Sequence, residues 1–125
     1  MTMSAKDLAR LEVLARLMRD RDLAVVATSL QRLQVADRGI EELGRNAEQA
    51  ANGICEDSDG RDMLQLQAYS VLEEQQRRTL TAERNEVATR VETELASARH
   101  SFARWRVIGS LEEKARQAER DAKRR

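Results

Sequence analysis

The sequence has no proline and only five glycines. No pyrrolidine ring breaks a helix anywhere, and the few flexible points can be named one by one. There is one cysteine, so no internal disulfide can form. That excludes a disulfide-stapled secreted scaffold and makes a reducing compartment the expectation. There is also one Trp, one Tyr and one Phe. Ile, Leu, Val and Phe together supply 26 of the 125 residues, while 18 of the remaining hydrophobic residues are Ala. This supply is too small for a thick multilayered globule and suits a core one layer deep between long helices. No apolar run approaches the ~18 residues of a membrane span. The opening Met1-Thr2-Met3-Ser4-Ala5-Lys6-Asp7 leads into alternating charged and apolar residues, not a signal-peptide core. A cytoplasmic protein is expected.

What is present is the mixture typical of long helices. Ala, Glu, Lys, Arg and Leu make up 68 residues. The basic residues are 19 Arg and 3 Lys, balanced by 22 acidic ones. Zero net charge argues against general nucleic-acid binding, which needs a basic field. The balance is uneven along the chain, however. Residues 53–97 carry 5 basic and 10 acidic side chains, whereas residues 98–125 carry 9 and 4. The middle is acidic and the C-terminal part basic.

The pattern predicts an all-α fold, a long antiparallel two-helix coiled-coil hairpin forming a single domain over 1–125. Ser4-Ala5-Lys6-Asp7 has capping-box spacing and starts a first helix over 4–52. Its apolar stripe reads Leu8, Leu11, Ala15, Met18, Val25, Val26, Leu30, Leu33, Ile40, Leu43, Ala47 and Ala51. Leu11, Met18 and Val25 are seven apart, as are Val26, Leu33, Ile40, Ala47 and Ile54. The slip between Val25 and Val26 is what a stripe of period near 3.6 shows when read in sevens. Leu14, Leu17 and Leu23 thicken the apolar face. Residues 53–60 hold the one cluster of turn formers, and Asp57, Ser58 or Asp59 can cap a second helix. This second helix, over 61–123, carries Leu66, Tyr69, Leu72, Gln76, Leu80, Val87, Val91, Leu95, Ala98, Phe102, Trp105 and Ile108. Gly109-Ser110, with Ser110-Leu111-Glu112-Glu113 as a capping string, leaves a kink or restart near 109 open. The last turns should fray. At 1.5 Å per residue the arms are roughly 70 and 90 Å long.

Nothing in the sequence assembles a catalytic centre, and neither an enzyme nor a cofactor is expected. A single histidine, His100, rules out two-histidine metal motifs. Cys55 sits among Glu56, Asp57 and Asp59, which disfavour a thiolate. An EF-hand alignment with Gly60 at its glycine position places Cys55 and Leu66 where two ligands belong, and fails. The adjacent pairs Glu41-Glu42, Glu73-Glu74 and Glu112-Glu113 diverge around their helices by about 100° and cannot converge on one substrate atom.

Two segments carry more apolar surface than a two-helix seam needs. One is Met63 to Leu72, including Met63, Leu66, Tyr69 and Leu72. The other includes Phe102, Arg104, Trp105, Arg106 and Ile108, with Leu111 beyond. Trp, Tyr and Arg are enriched at binding hot spots. Either segment could be a locally wider helix–helix seam or a partner-binding patch.

A short chain forming one hairpin, with a longer and basic second helix, resembles the FliJ-like stalk proteins of flagellar and type III secretion export. The segments that look like the family are Leu8-Ala9-Arg10-Leu11-Glu12 to Arg19-Asp20-Arg21-Asp22-Leu23-Ala24, and Trp105-Arg106 through Glu112-Glu113-Lys114-Ala115-Arg116-Gln117-Ala118-Glu119-Arg120-Asp121. The resemblance covers nearly the whole chain, through architecture and charge rhythm, with no invariant motif. It implies a coiled-coil stalk linking an export ATPase to an export-gate protein, with export chaperones as further partners and a location peripheral to the inner membrane. A chaperone-like binding module and a self-associating structural coiled coil remain as alternatives.

Overall fold

The computed structural model describes residues 3–53 and 59–125. Two helices account for nearly all of them, α1 (Ala5–Asn52) and α2 (Gly60–Arg124). The fold is all-α, with the two long helices packed against each other. No helix among the described residues is long and apolar enough to cross a membrane.

The helix starts arise from local chemistry. The Asp7 backbone N–H donates to Ser4 Oγ at 3.2 Å, and the Ser4 hydroxyl donates to Asp7 Oδ2 at 3.0 Å. Asp7 is thus too short to reach the Ser4 backbone, and accepts from its side chain instead of closing a full capping box. At α2 the Asp62 N–H donates to Asp59 Oδ1 at 2.9 Å, which makes Asp59 the cap. The other expected turn residues, Ile54 to Ser58, lie outside the described residues, and so does Cys55 among them. α2 is continuous through Gly109 and Ser110, so the interruption left open near 109 does not occur, and it is helical to Arg124. Gly109 has ordinary helical φ and an empty surround. A single glycine weakens a helix by about 1 kcal/mol, too little to break one held by neighbouring turns.

The chain divides into two compact units, Met1–Thr28 with Val91–Arg125, and Ser29–Arg90. In the first, the residues of α1 withdrawn from solvent include Ala5, Leu8, Glu12, Ala15, Arg19, Asp22 and Val26. On α2 they include Val91, Glu94, Ala98, Ser101, Trp105, Ile108, Glu112 and Ala115. Both runs alternate steps of three and four, the spacing of a coiled-coil seam. The expected stripe is corrected here. Leu11, Met18 and Val25 are exposed and do not belong to the seam, and no slip occurs at Val25/Val26. Glu12 and Arg19 occupy those seam levels because Trp105 gives both a partner across the helix pair. Tyr69, Leu72 and Phe102 leave the α2 stripe for the same exposed class.

In the second unit the α1 seam is Ser29, Leu33, Ala36, Ile40, Leu43, Ala47 and Ala50, facing Leu66, Glu73, Leu80, Arg84 and Val87 of α2. Arg84 Nε donates to Asp37 Oδ1 at 2.9 Å across the pair. Both side chains are well exposed, so the bridge contributes at most about 1 kcal/mol. A β-carbon added at Gly39 would meet Leu80 Cδ1 at 3.6 Å, ordinary contact distance, and one at Gly109 in the first unit would meet nothing. Gly39→Ala and Gly109→Ala are therefore each expected to stabilise by about 0.4–1 kcal/mol, through helix propensity and a less flexible unfolded chain. Thermal melts by circular dichroism check this, and a lowered midpoint for either would contradict it.

The core is thin. Among the described residues the buried apolar ones are Ala5, Leu8, Ala15, Val26, Val91 and Ala98, and half of these are alanine. No side chain among the described residues is fully buried. Hydrophobic stabilisation scales with area removed from water, so this interior supplies little of it.

Candidate functional site

The most connected cluster of the first unit surrounds the only tryptophan. The Trp105 Nε1–H donates to Glu12 Oε1 at 2.9 Å. Arg19 places its guanidinium carbon 4.2 Å from the ring centroid, while its Nε and Nη2 donate to Asp20 Oδ1 at 3.0 and 2.8 Å. Phe102 packs at 5.5 Å between centroids, tilted by 50°. Ser101 Oγ donates to Asp22 Oδ2 one turn away, and the Ala5 N–H donates to Glu119 Oε1 at 3.2 Å. The Glu12, Arg19, Asp22 and Ala5 contacts join α1 to α2. The cation over Trp105 comes from α1, and neither sequence neighbour, Arg104 nor Arg106, takes that place. Arg104 Nη2 lies 2.9 Å from His100 Nε2, and Arg106 stands 6.0 Å over Phe102.

The C-terminal patch is accordingly divided. Trp105 and Ile108 are half-buried in the seam, where they hold the helices together. Phe102, Arg104 and Arg106 remain exposed, as do Val107 and Leu111. A groove of about 560 Å³ lies close by, lined by Met3, Leu8, Leu111, Ala115 and Ala118 among others. The sequence of either helix alone does not reveal it, because each contributes only part of its wall.

In the second unit Leu66 is half-buried in the seam. Met63, Leu64, Tyr69, Val71 and Leu72 are exposed. The segment is therefore not a wider seam within the chain, and its apolar side chains stand in water on several faces of α2. A neighbouring groove of about 430 Å³ is lined by Leu43, Leu72, Gln75, Gln76, Thr79 and Leu80. Adjacent carboxylates diverge here as helix geometry requires. Glu73 is 8% exposed, with Arg77 Nη2 2.6 Å from its Oε1, whereas Glu74 points outward and accepts from Arg78 at 2.9 Å. Glu112 repeats the pattern with Arg116 at 2.6 Å. Each of these two seam acids is thus neutralised by an arginine four residues later, the favourable order on a helix. No group of three or more His, Cys, Asp or Glu among the described residues is placed to hold a metal ion.

A further apolar surface lies on α1, built partly from residues that periodicity alone assigns to the seam. Leu11, Leu14, Leu17, Met18 and Val25 are all exposed, with Leu14 at 58% and Leu17 at 59%. The signal is present in the spacing, since two faces of this segment carry apolar residues at helical intervals. Only packing shows which one meets α2.

Compared with protein-family models, with curated proteins and with solved structures, the chain finds no match in any of the three.

Proposed function

We propose that this chain is a non-enzymatic helical stalk or adaptor of a bacterial flagellar or type III protein export apparatus. It would work in the cytoplasm or at the periphery of the inner membrane, between an export ATPase and an export-gate protein. The observation that carries the interaction role is the exposure of Met63, Leu64, Tyr69, Val71 and Leu72 on a chain whose core is so thin. Apolar surface left in water beside a weak interior favours association. The export assignment rests on the resemblance of the two helices and on the basic segment 98–125, where Arg104 and Arg106 are exposed beside Phe102.

The test is retention of the cognate export ATPase by the full chain at low salt. Phe102→Asp combined with Arg106→Glu is expected to reduce retention at least tenfold, and added salt should weaken wild-type binding. Leu64→Glu with Leu72→Glu should leave ATPase retention intact and abolish that of the gate protein. If the wild type retains neither protein at low salt, the export reading fails. The groove beside Leu72 favours a second reading, a chaperone-like module that holds an apolar segment of an export substrate. Retention of such a substrate without the ATPase would select it.

A further inference from the structure

The half of α1 before residue 28 buries the less apolar of its two faces. Three of its seven seam positions are charged, namely Glu12, Arg19 and Asp22. Leu11, Leu14, Met18 and Val25 recur at steps of three, four and seven on another face, with Leu17 at its edge. At 100° per residue that face is centred on Leu14, about 130° around the helix from the seam. Its Leu11 edge adjoins the seam at Asp22, whereas Leu14 and Leu17 lie well away from the α1–α2 contact. The exposed fractions of these five side chains correspond to roughly 450 Å² of apolar surface, about the size of the largest, often functional, patch on a typical monomer.

Two charges on this face are placed symmetrically about Leu14. Asp7 and Arg21 lie seven residues before and after Leu14, so all three fall on one line along the helix. Leu11 and Leu17 flank Leu14 at three residues on either side. We propose that this face binds the same face of a second copy of the chain. The two α1 helices run antiparallel, with a twofold axis at Leu14. Leu14 then meets its own copy, Leu11 lies level with the second copy's Leu17, and both Asp7–Arg21 pairs are of opposite sign. Arg10 lies level with the second copy's Met18 and has no charged counterpart. A parallel pairing would instead set Asp7 against Asp7 and Arg21 against Arg21. The self-complementary order of acid, leucine and arginine is what an isologous twofold interface requires. Arg21 is free to swing, with a side chain 70% exposed and only a 3.5 Å contact to Asp22. Asp7 holds its cap through one oxygen and keeps acceptor capacity for a guanidinium. The apolar area is about half of the ~800 Å² each partner gives a standard interface, so association in the micromolar range is expected.

Sedimentation equilibrium on the full chain from about 1 to 200 µM reads this directly. The wild type is expected to pass from monomer to dimer over that range. Leu14→Glu should weaken dimerisation at least tenfold with unchanged helicity by circular dichroism. Arg21→Asp and Asp7→Arg should each weaken it, and the two together in one chain should restore it, which only antiparallel pairing predicts. A wild type that stays monomeric at 200 µM overturns the proposal. So does a dimer indifferent to Leu14→Glu, which would use another surface. A monomer whose capture of some other protein depends on Leu14 would assign the face to that partner instead. The export pull-down uses residues outside this face, so the two ideas fail separately.

Discussion

Replacing Val26 with aspartate is expected to unfold the first unit, while the same change at Val25, one residue away, leaves it folded. Val26 is 5% exposed and is one of the few apolar side chains withdrawn from water, whereas Val25 is 44% exposed. An aspartate at Val26 removes a buried branched side chain and puts a carboxylate into the seam. Either loss alone costs about 1–3 kcal/mol, and together they reach about 3–5 kcal/mol. A unit with so thin a core has about that much stability in total. Val25→Asp changes helix propensity by only a few tenths of a kcal/mol. Circular dichroism melts and urea titrations at low micromolar concentration separate the two, keeping any self-association out of the comparison. If both variants lose equal stability, the three-four seam through Val26 is wrong.

Trp105→Ala is expected to be the next most damaging substitution. It removes the ring under Arg19, the packing against Phe102 and the N–H that satisfies Glu12 in one step. For a half-buried tryptophan these sum to about 2–3 kcal/mol. Trp105→Phe keeps a ring beneath the guanidinium but loses the donor, so about 1 kcal/mol is expected. Glu12→Gln should be milder than Trp105→Ala, because an amide oxygen still accepts the indole N–H. Urea denaturation of the three variants orders them. A Trp105→Ala protein as stable as the wild type would mean that the aromatic side chain is a free surface group after all. The consequence for function is direct. Loss of partner binding by this variant would report a damaged hairpin, and Phe102 is the cleaner probe of the surface.

The two faces of α1 show how far the sequence can be read. Leu11, Met18 and Val25 repeat every seven residues as convincingly as Leu8, Ala15 and Val26 fit the three-four pattern. Periodicity along one helix measures only which residues share a side. It does not say which side meets another helix. Glu12, Arg19 and Asp22 argue against the true seam when considered alone, since charges in a seam are expensive unless paired. Their partners Trp105 and Ser101 lie some eighty to ninety residues further along the chain. The same limit applies to Glu73 and Glu112, whose partners Arg77 and Arg116 are local and visible but whose burial is not.

By itself the sequence determined that the chain is two long helices, because it lacks proline, is rich in Ala, Glu, Arg and Leu, and places its turn formers in a single cluster. It also determined where the first helix begins, at Ser4, and confined the start of the second to three candidate caps, of which Asp59 makes the bond. Capping and propensity are local, and a few neighbouring residues suffice to specify them. Tertiary structure decided that Trp105 serves the seam, and that the most leucine-rich face of α1 is left in water. That choice depends on which side chains of α2 lie opposite, and hydrophobicity alone would have ranked the two faces the other way.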